Sequence, residues 1–167
     1  YEGVDEALNR VGTPTDAMWA LFADGLYGES DFNPDGTLVD GLPVPTFGSV
    51  QPGDIKYLDQ NGDNVVDQLD QRIVGHGLRT QYSAYLDLRF RNIGLYVLGV
   101  GRLGDSNSRT ADYFQVIGDV KYSEYAMQAY GPGNMDVHAI HPRLTTRSGG
   151  NNDRNSSFWV FKNNSFI

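Results

Sequence analysis

Residues 79–101 read RTQYSAYLDLRFRNIGLYVLGVG, and this stretch decides the fold. Apolar side chains recur at every second position from Tyr82 to Phe90, and the positions between them are mostly polar. Such alternation is typical of a β-strand with one apolar face. Arg91 and Asn92 then lead into a nearly continuous apolar run, so the stretch predicts an antiparallel β-hairpin with a tight connection.

The composition favours an all-β chain. Of the 167 residues, 20 are glycine and 12% are aromatic, which is a mixture typical of strands joined by turn-rich loops. The sequence has no run of about 18 apolar residues, so it predicts no transmembrane helix. A membrane-spanning β-strand needs only about 9–11 alternating residues, and the hairpin meets that requirement.

The charge balance excludes several classes of partner. The chain has 13 Lys and Arg against 21 Asp and Glu, which gives a formal net charge of −8. Nucleic-acid binding and a polybasic membrane anchor both need clustered positive charge, so the sequence predicts neither. The absence of cysteine excludes disulfides, thiolate zinc sites and cysteine nucleophiles.

Residues 59–70, DQNGDNVVDQLD, have the spacing of a calcium-binding loop. Oxygen-bearing groups stand at loop positions 1, 3, 5, 7, 9 and 12, the pattern that wraps a hard cation. The candidate ligands are Asp59, Asn61, Asp63, the backbone carbonyl of Val65, Asp67 and Asp70. Asn64 stands where glycine is usual, although asparagine is the next best residue for a positive φ. The alternative is an acidic, turn-rich loop whose side chains cap their own backbone without a metal.

No other motif predicts chemistry. His138 and His141 have a spacing that suits one helical face, but Pro142 disfavours a helix there, so we do not propose a zinc site. GVGRLG at 99–104 matches a nucleotide-binding string, yet it follows a hairpin strand and opens a polar loop. No serine lies in a nucleophile elbow. The sequence therefore predicts a protein that is not an enzyme.

Several separated blocks resemble one family. PGDIKY at 52–57, the acidic loop, IVG at 73–75, the alternating strand and GVG at 99–101 follow one another as in the SusC/RagA family of TonB-linked outer-membrane transporters. ADGLY at 23–27, HPRLT at 141–145 and SSFW at 156–159 are similar to further segments of that family. The resemblance is tight from 46 to 101 and patchy from 104 to 140, and KNN at 162–164 departs from it.

The resemblance implies that the chain is an internal fragment from the later part of a transmembrane β-barrel of about 22 strands. The expected segments are a strand and loop segment of the barrel at 1–27, a long extracellular loop at 28–78, a transmembrane hairpin at 79–103, a long extracellular loop at 104–156 and the start of the next barrel strand at 157–167. Arg91 and Asn92 would form a periplasmic turn. A calcium ion would order a long loop that we expect to lack a core of its own.

The resemblance also implies the function and its partners. The parent protein would import glycans or peptides across the outer membrane of a Gram-negative bacterium, in contact with lipid and beneath a SusD-like lipoprotein. TonB would supply the energy through parts that this chain does not contain. The sequence does not identify substrate-binding residues. The alternative is a secreted soluble β-domain with a structural calcium site, with carbohydrate binding as one option.

Overall fold

The computed structural model describes residues 9–77, 80–104, 106–116, 121–146 and 150–161. This part of the chain contains β-strands and short 3-10 helices but no α-helix, which confirms the all-β prediction. The strands are β1 (Ala17–Ala20), β2 (Ala23–Leu26), β3 (Val44–Pro45), β4 (Ile55–Tyr57), β5 (Val65–Val66), β6 (Arg72–His76), β7 (Thr80–Phe90), β8 (Ile93–Leu103), β9 (Asn107–Ser108) and β10 (Val160–Phe161).

The 3-10 helices cover Glu29–Asp31, Gln68–Asp70, Glu124–Gln128, Asn151–Asp153 and Ser157–Trp159. Within the described ranges, no helix has the length and apolar character needed to cross a membrane. Most of the strand predicted at 157–167 lies outside the described residues, as does the departure from the family at 162–164.

The predicted hairpin is confirmed as β7 and β8. The two strands have 11 residues each and pair in register from Thr80 opposite Leu103 to Phe90 opposite Ile93. Arg91 takes a left-handed φ of 53° in the two-residue turn, as such tight hairpin turns require. Every residue of β7 is exposed, so within the described residues neither face of this strand is buried.

Gly101 has a specific role in the hairpin. A Cβ atom at this position would lie 2.2 Å from Cζ of Tyr82, because the Tyr82 ring covers the glycine directly across the ladder. An aromatic ring over a cross-strand glycine shields the exposed backbone and helps to fix the register.

The remaining described residues form what we call the folded unit: residues 9–77, 106–116, 121–146 and 150–161. Its strands pair in short ladders, β1 with β6, β2 with β4 and β9 with β10 antiparallel, and β3 with β5 parallel. β6 leads directly into the hairpin and β9 follows it. The folded unit therefore joins the hairpin at the end opposite the turn.

The folded unit has one hydrophobic core. Its buried members are Leu21, Leu26, Ile55, Tyr57, Val66, Tyr130, Ala139 and Trp159. The two segments predicted as long loops, 28–78 and 104–156, both contribute to it. Neither segment has a core of its own among these residues, but both take part in a core that they share with Leu21, Leu26 and Trp159. These side chains come from segments without apolar periodicity, so a search for amphipathic runs does not find them.

Asparagine side chains satisfy the backbone of this irregular core. Asn152 Oδ1 accepts a hydrogen bond from the Ile55 N–H at 2.9 Å, and Asn151 Nδ2 donates to the Ile55 carbonyl at 2.7 Å. Both asparagines are only 5% exposed. Trp159 Nε1 donates to the Asn152 carbonyl at 3.0 Å. Asparagine side chains thus supply the hydrogen bonds that a neighbouring strand would otherwise make to β4, because buried backbone N–H and C=O groups need partners.

The PGD block at 52–54 is where distant segments converge. Gly53 has a φ of 87°, and a Cβ there would lie 2.3 Å from Cδ1 of Tyr130. Asp54 is 2% exposed and forms an ion pair with the Arg143 guanidinium, with 2.6 Å between Oδ1 and Nε. Its Oδ2 accepts a hydrogen bond from Nη2 of Arg143 at 3.2 Å, and its Oδ1 accepts from Nδ2 of Asn152 at 2.8 Å. The block therefore connects three parts of the folded unit, through the close approach of Tyr130 to Gly53 and through the buried carboxylate of Asp54.

Candidate functional site

The loop 59–70 joins β4 to β6 in the folded unit. Asn64 has a φ of 64°, so asparagine does adopt the left-handed conformation at the loop position where glycine is usual. Gly62 has a φ of 81° and completes the tight winding of the loop. The left-handed conformation is therefore present at loop positions 4 and 6, which suits both a calcium-type loop and a turn-rich loop without a metal.

Asp59 organises the first half of the loop. Its Oδ1 accepts from the N–H of Gly62 at 2.6 Å and of Asn61 at 3.1 Å, and its Oδ2 accepts from the N–H of Asn64 at 2.7 Å. Desolvation opposes ionisation, but these backbone hydrogen bonds outweigh it and lower the pKa of Asp59 below 3.8. The carboxylate is therefore charged at neutral pH.

Asn61 and Asp63 lie on the exposed side of the same turn. Asn61 Nδ2 donates to Asp63 Oδ2 at 2.9 Å, and Asp63 Oδ1 accepts from the Val65 N–H at 2.8 Å. A carboxylate has about four lone-pair sites. Both residues thus keep lone pairs on the solvent side, where a hard cation would find oxygen donors.

Asp70 takes a different position from the other candidate ligands. It is fully buried, and its Oδ1 accepts from the Gln60 N–H at 2.7 Å while its Oδ2 accepts from the Asp67 N–H at 2.9 Å. Asp67 in turn accepts from the Leu69 N–H at 2.7 Å. Asp70 therefore fastens the beginning of the loop to its end.

The carboxylates of the loop are directed to backbone N–H groups. Among the residues that the structure describes, no three His, Cys, Asp or Glu side chains form a group that could hold a metal ion. The donors nevertheless fit calcium in kind, since all are oxygens, and in their order along the loop. Asp59, Asn61 and Asp63 are the ones that an approaching cation would reach from solvent.

The two histidines occupy different environments. His141 is fully buried, its Nδ1 donates to the Pro142 carbonyl at 2.7 Å, and its Nε2 accepts from the Val116 N–H at 3.3 Å. Desolvation lowers the pKa of His141 below 6.5, so the ring is neutral at pH 7. His138 is exposed. His141 is therefore a core residue, a role that sequence reasoning did not assign to it.

Sequence reasoning also missed a groove of about 1000 Å³ in the folded unit. It lies between the 3-10 helix Glu124–Gln128, the turn that follows it and the segment after His141. The signal in the sequence was weak: two of the three methionines, Met127 and Met135, fall within ten residues of each other, and both line the groove.

Comparison with known proteins assigns no family. No protein-family model matches this chain, and no curated protein matches it significantly. The motifs and the geometry described above are therefore the basis for any functional inference.

Proposed function

We propose that this chain forms part of the wall and outer loops of an outer-membrane, TonB-energised importer of glycans or peptides that works with a SusD-like lipoprotein. The observation that carries the proposal is the hairpin of β7 and β8. It extends from a folded unit that has its own core, and it presents a continuous apolar face. The ordered motif blocks that resemble the SusC/RagA family give the same assignment.

The length of the hairpin suits a membrane. Each strand has 11 residues, which at about 3.3 Å per residue span about 36 Å. At a tilt of about 45° this length covers about 26 Å along the membrane normal, close to the apolar band of about 25 Å in outer-membrane barrels.

The two faces of the hairpin differ in polarity. On one face the register places Leu86 opposite Val97 and Leu88 opposite Leu95, and these side chains are 49–53% exposed. An apolar face of this extent requires a cover, and lipid is one that suits it. The opposite face carries Gln81, Ser83, Asp87, Arg89 and Arg102, together with Tyr85, Tyr96, Leu98 and Val100. Its polar members suit a wet lumen.

The two ends of the hairpin support an orientation. One end is the two-residue turn at Arg91 and Asn92, and the other joins the folded unit. Outer-membrane barrels have short turns on the periplasmic side and long loops outside the cell. In the proposed arrangement the folded unit therefore faces outward, where the nutrient and the lipoprotein lid meet the transporter.

Partition between water and lipid tests this proposal. We expect the 167-residue protein to enter the detergent phase and lipid vesicles. Leu86→Arg, on the apolar face, should reduce vesicle partition roughly 30-fold or more, since arginine near the bilayer midplane costs about 2–4 kcal/mol. Tyr85→Arg, on the opposite face, is the matched control and should leave partition largely unchanged.

The membrane assignment would be contradicted if the protein were a soluble monomer that does not bind vesicles and if both arginine variants showed the same vesicle partition. That outcome would favour a secreted soluble β-domain instead. The core of the folded unit, which includes Trp159 and Tyr57 and needs no hairpin residue, is the observation that supports this second candidate.

We further propose that the loop 59–70 binds Ca²⁺ as a structural ion. Its ligands would come from Asp59, Asn61, Asp63, Asp67 and the Val65 carbonyl, with Asp70 holding the loop closed at its base. The bound ion would neutralise the carboxylates that it contacts and stiffen the connection between β4 and β6. Binding to the folded state alone would stabilise it by about 2.7 kcal/mol when free Ca²⁺ is 100 times its Kd.

Calorimetry tests the calcium proposal. The double variant Asp59→Ala/Asp63→Ala should abolish the heat of Ca²⁺ binding, because it removes two of the proposed ligands. Asp40→Asn removes a carboxylate that is exposed elsewhere in the folded unit, and it should bind Ca²⁺ as the unaltered protein does. Unchanged Ca²⁺ affinity in the double variant would eliminate the site.

A further inference from the structure

The groove near the Glu124–Gln128 helix has the dimensions and the lining of a ligand site. We call it the methionine groove and define it by Glu29, Met127, Tyr130, Met135, Arg143 and Leu144. Its volume of about 1000 Å³ is at the upper end of the range of about 300–1,000 Å³ for ligand pockets. It shares no lining residue with the loop 59–70.

The surface of the groove is apolar and adaptable. Met127 is 82% exposed, Met135 is 51% exposed and Leu144 is 37% exposed. Methionine side chains are unbranched and polarisable, so they adjust to apolar side chains of different shapes. Exposed apolar side chains gathered around one concavity mark an interaction site more often than scattered ones do.

The uncompensated charge at the groove is negative. The guanidinium of Arg143 is bound to Asp54, with 2.6 Å between Nε and Oδ1. The carboxylate of Glu29, by contrast, makes no ion pair with any described residue, and it is exposed. Burial, and then the nearby charge of Glu29, raise the pKa of the Tyr130 phenol above 10.0. Glu29 lines the same groove as Met127 and Met135, within a protein of net charge −8.

The lining favours a peptide over a glycan. Sugar rings stack on exposed aromatic faces, but the aromatic side chain in this groove, Tyr130, is 9% exposed and its ring lies against Gly53. The groove instead offers flexible thioethers and an aliphatic side chain beside one free carboxylate. Apolar side chains together with an ammonium or guanidinium group complement that arrangement.

We propose that the methionine groove binds a short peptide segment that combines apolar side chains with lysine or arginine. The apolar side chains pack on Met127, Met135 and Leu144, and the cationic group lies at Glu29. This inference goes beyond the proposed importer, because binding in the groove requires neither a membrane nor TonB.

Methyl NMR of the full chain tests the proposal. The protein has three methionines, and the third, Met18, lies in β1 outside the groove and serves as an internal control. The probe is the capped pentapeptide Leu-Lys-Leu-Lys-Leu, added to ¹³C-methyl-methionine protein in a fixed detergent concentration. We expect the methyl signals of Met127 and Met135 to shift with a saturable Kd while that of Met18 stays in place.

Two matched variants identify the cationic contact. Glu29→Gln should raise the Kd of the pentapeptide about threefold, which is the effect expected from the loss of an exposed ion pair. Asp40→Asn removes the same charge from an exposed position outside the groove and should leave the Kd unchanged. The glutamate analogue Leu-Glu-Leu-Glu-Leu should bind more weakly than the lysine peptide to the unaltered protein.

Three outcomes would overturn the proposal. Met18 shifting together with the other methionines would indicate nonspecific binding. An equal loss of pentapeptide affinity in Glu29→Gln and Asp40→Asn would indicate that the peptide is attracted only by the net charge of the protein. Shifts produced by maltohexaose and not by the pentapeptide would make the groove a glycan site. The vesicle assay measures the hairpin separately, so failure of the membrane assignment is distinguishable from each of these.

Discussion

The hairpin and the folded unit are stabilised in opposite ways. In the hairpin, β7 and β8 form one long ladder, and nearly all of their side chains are exposed. In the folded unit, the strands are two to five residues long, yet Ile55, Val66 and Asp70 have no exposed surface. The regular sequence pattern thus marks the least buried element, and the buried core comes from sequence without a pattern.

This difference has an energetic consequence. An isolated two-stranded hairpin is marginally stable in water, so β7 and β8 depend on what covers their apolar face and their edges. The folded unit contains its own core around Trp159, in which aromatic rings make edge contacts with His141 and Phe158 at centroid distances of 5.6 and 5.0 Å. The folded unit should therefore resist unfolding without help from the hairpin.

The largest effect that separates the two regions should come from Trp159→Ala. Trp159 is 1% exposed, contacts two rings and donates to the Asn152 carbonyl. Its truncation should lower the free energy of unfolding by about 3–5 kcal/mol, because it creates a cavity in the core. Guanidinium unfolding followed by near-ultraviolet circular dichroism of the tyrosines measures the change.

Phe90→Ala is the matched truncation in the hairpin. Phe90 is 70% exposed, so the unfolding free energy of the folded unit should change by no more than about 0.5 kcal/mol. A loss as large as that of Trp159→Ala would show that the hairpin and the folded unit unfold as one body. The distinction between the two regions would then be wrong.

What the sequence predicts follows from the range of the contacts. The hairpin was predictable because its alternation is local, and the left-handed Asn64 was predictable from the spacing of its own loop. The burial of Asn152 was not predictable, since its side chain accepts a hydrogen bond from the backbone N–H of Ile55, 97 positions away. In the candidate site, the order of Asp59, Asn61 and Asp63 was visible in the sequence. The anchoring role of Asp70 depends on its burial, which no local spacing encodes.

A smaller effect should follow from Gly53→Ala. Gly53 has a left-handed φ of 87°, and the new Cβ would lie 2.3 Å from Cδ1 of Tyr130. The substitution therefore adds displacement of a buried ring to the backbone strain. We expect the folded unit to lose about 2–3 kcal/mol of unfolding free energy in the same denaturation assay.

Gly36→Ala separates the two contributions. Gly36 has nearly the same φ, 84°, but a Cβ there meets nothing within 4 Å. The Gly36→Ala variant should lose only about 1 kcal/mol of unfolding free energy, which is the contribution of the backbone strain. If both variants lose the same amount, the Tyr130 ring moves aside without penalty, and the PGD block is not the tight junction of the folded unit.

A pH dependence of stability should belong to the folded unit alone. Desolvation lowers the pKa of His141 below its ordinary value of 6.5. The unfolded state therefore binds the proton more tightly than the folded state. The contribution of the neutral His141 ring to the unfolding free energy is fully present above pH 6.5. It is lost as the pH falls below that value, and the unfolding free energy then changes by at most about 1.4 kcal/mol per pH unit. Urea unfolding at pH 7.5, 6.5 and 5.5 measures it.

Protonation of His141 has two physical consequences. It places a charge between the rings of Tyr125 and Trp159, and it removes the Nε2 lone pair that accepts from the Val116 N–H. His141→Gln should therefore reduce the difference in unfolding free energy between pH 7.5 and pH 5.5. His138→Gln removes an exposed imidazole and should preserve that difference. Parallel curves for the unaltered protein and His141→Gln would mean that the core admits water to the protonated ring, and the folded unit would then be as open to solvent as the hairpin.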